Sequence, residues 1–174
     1  MSIRNLDSLF DPTSIAVFGA SQREGSVGST AWRNLTQGTY TGAVYAVNPK
    51  MPELTGYTVV ANAADLPAVP DLAVICTPAN TVVGLITQLA ALGTRAAVVL
   101  TAGMTREQKQ AMLDAAKPQL LRILGPNCIG LLSPHIGLNA SFSHTNAILG
   151  EFAFVSQSGA LLTAMVDWSQ GQRL

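Results

Sequence analysis

Residues Ser14 to Gly28 read SIAVFGASQREGSVG. An apolar run, Ile15 to Phe18, ends in Gly19-Ala20-Ser21. A polar loop follows, closed by Gly25 and Gly28, and Ser29-Thr30-Ala31-Trp32 can then start a helix. A buried strand, a glycine turn and a helix N-terminus form a place for phosphate. The first N–H groups of a helix lack partners within it, and the helix dipole favours an anion there. Glycine adopts positive φ and lets a ligand approach without a Cβ in the way. The spacing is G-x5-G-x2-G, wider than the dinucleotide fingerprint G-x-G-x-x-G.

The rest of the 174-residue chain fits a strand buried on both faces. Apolar residues make up 48% and charged residues only 11%, the balance of a parallel sheet covered on both sides. Lys+Arg and Asp+Glu both total 10. The absence of a basic stripe argues against a nucleic-acid partner. No apolar run reaches the ~20 residues of a membrane span. MSIRNLDSLF lacks the apolar core of a secretion signal. Cys76 and Cys128 fit a reducing compartment. Together these features predict a cytoplasmic protein.

Strand and helix signals alternate along the chain. Strands are predicted at Ser14–Ala20, Ala43–Val47, Leu72–Cys76, Ala96–Thr101 and Arg122–Leu124, with a short edge strand at Tyr57–Val60. Helices are predicted at Gly28–Gln37, at Thr81–Leu92 with Asn80 as N-cap, and from the Thr105/Gln108 capping-box pattern to about Lys117. This order means βαβ units and a doubly wound, Rossmann-like parallel α/β sheet.

Ligands of such sheets bind beyond the carboxyl ends of the strands. The residues expected there are Gly19, Ser21, Arg23, Gly25, Ser26 and Gly28 after the first strand, and Asn48, Pro49 and Lys50 after the second. Thr77 and Pro78 follow the third, Ala102 and Gly103 the fourth, and Asn127 and Cys128 the fifth. Hydroxyls, small residues and two cations converge without a carboxylate pair, which suits a polyphosphate. An NAD site places an acidic residue at the end of the second strand, where this chain has Asn48 and then Lys50. The expected ligand is coenzyme A, with NADP as the alternative. An acidic side chain at Gly28 is expected to abolish binding and leave the fold intact.

The ordered set SIAVFGAS…GSVG, AVNPK, LAVICTP, VVLTAG and GPNCIG resembles the coenzyme A-binding domain of the succinyl-CoA synthetase α subunit. It is more similar still to the α-like part of NDP-forming acyl-CoA synthetases. LFDPTSIAVFGAS and GLNASFS are typical of the single-chain members. The later stretch also resembles the synthetase-like half of bacterial protein lysine acetyltransferases that carry a GNAT domain.

The resemblance implies that Ser21, Arg23, Gly25, Ser26, Val27 and Gly28 cradle coenzyme A phosphates. It implies Lys50 at the nucleotide's phosphate end and Thr77 and Pro78 along the adenosine and pantetheine path. Ala102 and Gly103 would line the groove, and Asn127 and Cys128 would lie near the thiol. It also implies a parent enzyme that joins a carboxylate, typically acetate, to coenzyme A. That enzyme would use ATP or GTP through an acyl phosphate and a phosphohistidine on a following flavodoxin-like domain. The alternatives are an acyl-CoA-sensing regulatory half of an acetyltransferase fusion and an NADP-binding oxidoreductase domain.

Residues 1–146 are expected to form the first domain and 147–174 the opening of the second. GEFAFV (150–155) reads as a strand, and Ser156-Gln157-Ser158-Gly159 opens a helix, Ala160–Gln170. By resemblance, Ser156, Ser158 and Gly159 face the phosphate on the histidine. One strand and one helix do not bury their own apolar faces, so this segment is expected to pack on the first domain, to pack on another copy, or to be loose. No catalytic residue, metal-ligand cluster or nucleotide P-loop is legible. Cys76 reads as a buried small hydrophobe and Cys128 as a structural cysteine with no group to activate it. Trp32 and Trp168 read as packing residues on helices.

Overall fold

The computed structural model describes residues 3–51 and 53–172. The outermost residues of both expected domains, 1–2 and 173–174, lie outside it. A short helix α1 (Asp7–Phe10) leads into β1 (Ser14–Phe18), α2 (Val27–Thr36) and β2 (Ala43–Val47). Next come β3 (Glu53–Leu54), β4 (Tyr57–Val60), β5 (Leu72–Ile75), α3 (Ala79–Leu92), β6 (Ala96–Val99), α4 (Arg106–Ala116) and β7 (Arg122–Leu124). The chain closes with β8 (Gly130–Ser133), β9 (Leu138–Ser141) and α5 (Gly159–Gln172).

Seven strands form one sheet in the order β3-β4-β2-β1-β5-β6-β7. All pairings are parallel except the β3–β4 hairpin at one edge. From β1 the chain moves outward to β2 and then returns to lay β5 on the other side of β1. The crevice between the β1 and β5 ends is therefore the point where the winding reverses, the usual ligand position of such sheets.

Alternation along each strand explains the high apolar content. Ile15, Val17, Leu72, Val74, Ala96 and Val98 face one core, which Trp32 and Leu35 of α2 and Leu138 and Ala140 of β9 complete. Ala16, Phe18, Ala73, Ile75, Ala97 and Val99 face the other, beneath Val82, Ile86 and Leu89 of α3 and Met112 and Ala116 of α4. Both faces are buried, as the composition requires.

The doubly wound sheet stands as the sequence predicts, with shifts at element ends. β1 stops at Phe18 and β6 at Val99, where the chain turns into the loops of the carboxyl edge. α3 begins at Ala79 behind Pro78, so Asn80 lies inside the first turn and is not the cap. Tyr57–Val60 is not the edge strand, because β3 lies outside it.

Two further expectations fail. Residues 150–155 form no strand, and no strand among the described residues pairs with them. Phe152 is 83% and Val155 94% exposed. Trp168 is not a core residue but is half exposed on α5. The β8–β9 hairpin had no counterpart in the sequence reading. It lies against α2 and covers part of the first core.

Candidate functional site at the carboxyl edge of the sheet

The loop after β1 is held by its own polar groups. Arg23 N–H donates to Ser21 Oγ (3.0 Å), and Ser26 Oγ donates to Arg23 O (2.8 Å). Ser26 is the N-cap of α2, and its Oγ accepts from Ser29 N–H (3.2 Å). Thr30 N–H turns back to Ser26 O. That leaves the Val27 and Gly28 N–H groups with no acceptor among the described residues, at the positive end of the helix dipole.

Two glycines make this geometry possible. A Cβ on Gly28 would lie 2.0 Å from Gly19 O, so α2 meets the end of β1 as closely as two backbones can. The expectation that Gly28 tolerates an acidic side chain with the fold intact is thereby corrected: any side chain there forces strand and helix apart. Gly25 differs. It has φ +72°, and a Cβ built on it meets nothing within 4 Å. The space in front of the loop is open.

Asn48 holds the neighbouring wall. Its Nδ2 donates to Ala20 O (2.8 Å), and its Oδ1 accepts from Lys50 N–H (2.9 Å). The carboxamide is thus spent on joining the first loop to the second, and Lys50 is left exposed at the edge. Gln22 Nε2 donates to Thr55 Oγ1 (2.9 Å), and Trp32 meets Tyr57 edge-on with ring centroids 5.0 Å apart. The β3–β4 hairpin therefore flanks the loop. Sequence reading missed Gln22 and Thr55, because nothing local shows which loop a hairpin will touch.

Beyond β5, Thr101 Oγ1 donates to Thr77 O (2.7 Å), and Thr81 Oγ1 donates to Thr77 Oγ1 (2.8 Å) and Pro78 O (2.7 Å). Thr101 and Thr81 were not singled out in the sequence. Ala102 and Gly103 are exposed beside them. Asn127 has φ +58°, and its backbone N–H donates to Thr101 O (3.0 Å), so the backbone rather than the side chain ties this turn.

Both thiols are pushed towards the protonated form. Burial, reinforced by repulsion between the two sulfurs were both ionised, pushes Cys76 up to about 12. Burial also raises Cys128, against the opposing pull of the Gly130 and Cys128 backbone groups. The Cys128 Sγ points at Val99 O (3.4 Å). This agrees with the reading of both as structural.

Ser156, Ser158 and Gly159 lie apart from the first loop, at the start of α5. Ser158 N–H donates to Ser156 Oγ (3.0 Å), and Ser158 Oγ accepts from Leu161 N–H (3.3 Å). A Cβ on Gly159 would lie 4.0 Å from Ile129 Cβ, so this helix start adjoins the turn that carries Asn127 and Cys128.

The edge as a whole has free N–H groups, hydroxyls, two exposed cations and an open front, and these fit a phosphate-bearing ligand. Among the described residues no cluster of three metal-ligating side chains is present. No helix among them is long and apolar enough to cross a membrane.

The model of the CoA binding domain matches residues 13–134. The chain is 35% identical over 95% of its length to acetate–CoA ligase (ADP-forming) I of Archaeoglobus fulgidus, of which it covers 25%. It is 32% identical over 95% of its length to the α subunit of acetate–CoA ligase (ADP-forming) I of Pyrococcus furiosus, covering 38% of that protein. Among solved structures, the dinucleotide-forming acetyl-coenzyme A synthetase 1 of Ca. Korarchaeum cryptofilum, in complex with phosphate and ADP, superposes with a TM-score of 0.88. It is 37% identical, and the match covers 94% of this chain and 36% of that one. The chain thus spans between a quarter and two-fifths of the length of these three proteins. The finer likeness to acetyltransferase fusions finds no support among these relatives. The sequence motifs, the fold and these matches agree: the chain belongs to the CoA binding domain family, with ADP-forming acetate–CoA ligases among its relatives.

Proposed function

We propose that this chain is the coenzyme A-binding part of an NDP-forming acid–CoA ligase, with the ligand's phosphates on the loop from Ser21 to Gly28. The observation that carries the reading is the pair of N–H groups at Val27 and Gly28, which have no acceptor among the described residues at the start of α2, in a loop where a Cβ on Gly25 would meet nothing within 4 Å. Backbone donors at a helix N-terminus suit a pyrophosphate. Gly19 and Gly28 supply the close strand–helix approach, and Asn48 fixes the wall from which Lys50 reaches the extra phosphate that distinguishes coenzyme A from its dephospho form. Thr77 and Pro78 flank the path of the adenosine and pantetheine. Ala102 and Gly103 line the groove, and Asn127 and Cys128 receive the thiol end.

In the parent enzyme, acetate or another carboxylate would be activated with ATP or GTP through an acyl phosphate and a phosphohistidine. None of that chemistry is assigned to residues 1–146. Residues 147–174 would begin the second domain, with Ser156, Ser158 and Gly159 turned to the phosphate. The exposed Leu149, Phe152, Phe154, Val155, Leu161 and Trp168 would bury against the remainder of the synthetase. Two free thiols suit a cytoplasmic setting.

The test is an amide NMR titration with coenzyme A. The expected result is saturable shifts centred on Gly19–Gly28 and Lys50. Shifts confined to the β8–β9 hairpin or to α5 would overturn the placement.

A further inference from the structure

α5 has no buried residue. Leu162, Val166 and Ser169, on one face, are half-buried, while Leu161 and Trp168 are exposed. Its apolar contact is limited to partly buried Leu162, Met165 and Val166. Among the described residues two side-chain hydrogen bonds join it to the rest of the chain, and both run to one loop. Thr145 Oγ1 donates to Asp167 Oδ1 (2.8 Å), and Gln170 Nε2 donates to Asn146 O.

That loop is itself anchored in the interior. Asn139, Ser141 and Ser143 are 3%, 0% and 3% exposed, and each is hydrogen-bonded. Asn139 Nδ2 donates to Asn146 Oδ1, and Ser141 Oγ donates to Asn139 Oδ1. Ser143 Oγ donates to Thr145 O (2.8 Å) and accepts from Thr145 N–H (3.2 Å). Asn34 of α2 closes the chain of bonds, its Nδ2 donating to Ser141 O (3.0 Å) and Ser143 O (2.9 Å). Buried polar side chains persist where every partner is met, and such networks hold one arrangement against others. The same loop thus links α2, which starts at the phosphate loop, to α5, whose start adjoins Ile129 beside Asn127 and Cys128.

We infer that Asp167 and Gln170 are positioning residues: through Thr145 and Asn146 they hold the N-terminus of α5 beside the Asn127–Cys128 turn. The purpose of that placement, bringing a second anion-binding helix end to the thiol end of the groove, rests on the coenzyme A reading. The geometry does not.

Hydrogen exchange of the whole chain tests it, with coenzyme A affinity measured separately on the same samples. In Asp167→Ala the amides of 160–172 should exchange about tenfold faster, the change expected from one net hydrogen bond. Amides of β1 to β9 should keep their rates. Asp167→Asn, which keeps an acceptor for the Thr145 hydroxyl, should restore protection, and Thr145→Val should mimic Asp167→Ala. Unchanged α5 protection in Asp167→Ala overturns the inference, as does equal loss throughout the sheet or an α5 that already exchanges like a free chain in the parent. Loss of protection confined to α5 in a chain that binds no coenzyme A would uphold the positioning contacts and contradict the ligand reading alone.

Discussion

The two edges of the central sheet are built from the same strands and treated in opposite ways. At the amino edge, polar side chains close on backbone groups. Asp71 accepts from Thr13 N–H (3.0 Å), Thr13 Oγ1 (2.6 Å) and Ser14 Oγ (3.5 Å). Tyr40 OH donates to Pro12 O (2.8 Å), Arg122 to Arg4 O (2.8 Å) and Asn5 Nδ2 to Leu120 O (2.8 Å). At the carboxyl edge the hydrogen bonds shape the loops but leave the donors at the start of α2 free. One edge pairs these polar groups and contributes stability, although Thr94 Oγ1, just before β6, is buried with no partner among the described residues. The other leaves such groups available, which is what a ligand site requires.

The sharpest way to break this contrast is Gly28→Ala. With a Cβ only 2.0 Å from Gly19 O, the variant should lose about 3 kcal/mol or more, read as a Tm lower by roughly 10 °C. An unchanged Tm would mean that the close approach of β1 and α2 is not required.

Asp71→Ala should come next, costing about 1–2 kcal/mol, a figure kept low because the carboxylate is partly exposed. It should leave coenzyme A affinity untouched. Burial alone would raise the Asp71 pKa, but the hydrogen bonds from Thr13 and Ser14 and the charge of Arg95 outweigh it and hold the carboxyl below its ordinary 3.8. A carboxyl depressed in the folded state stabilises above its unfolded value, and that contribution is lost as pH falls below it. Chemical denaturation should therefore show the difference between parent and variant shrinking below pH ~4. A constant difference down to pH ~2 would remove Asp71 from the account.

These two substitutions also mark how far the sequence can be read. The strands, the glycine loop and the Thr105/Gln108 capping box were legible because each rests on local pattern: apolar runs, positive-φ residues and short-range hydrogen bonds. The two roles of Asn48 were not, since its partners are fixed only when β1 and β2 lie side by side. The β8–β9 hairpin was missed for a related reason. Its signal, Pro134-His135-Ile136-Gly137 between two four-residue strands, is short, and it packs against α2. The error at 150–155 is the converse: an apolar alternation that reads as a strand stays unpaired without a neighbour.

Smaller effects sharpen the ligand side. Lys50→Ala should weaken coenzyme A about tenfold, as loss of one charge-assisted contact does, and dephospho-coenzyme A less. Equal losses would mean that Lys50 does not contact the extra phosphate. Gly25→Ala adds no clash but forces a side chain to φ +72°, a strain of about 1–2 kcal/mol, which should lower affinity more visibly than Tm. The smallest change concerns the thiols. Raised pKa values should keep Cys76 and Cys128 from alkylation in the folded chain at neutral pH. The stability tied to protonated Cys76 should be full below 9.0 and fall as pH climbs towards about 12. Rapid alkylation of Cys76 under native conditions would contradict that burial.

Calorimetric titration of this chain with coenzyme A, its dephospho form, NADP and NAD decides whether the carboxyl edge is a coenzyme A site. Saturable binding of coenzyme A, weaker binding of the dephospho form and no binding of NAD are expected. Tighter binding of NADP than of coenzyme A, or no heat with coenzyme A from a chain shown to be folded, would contradict that assignment.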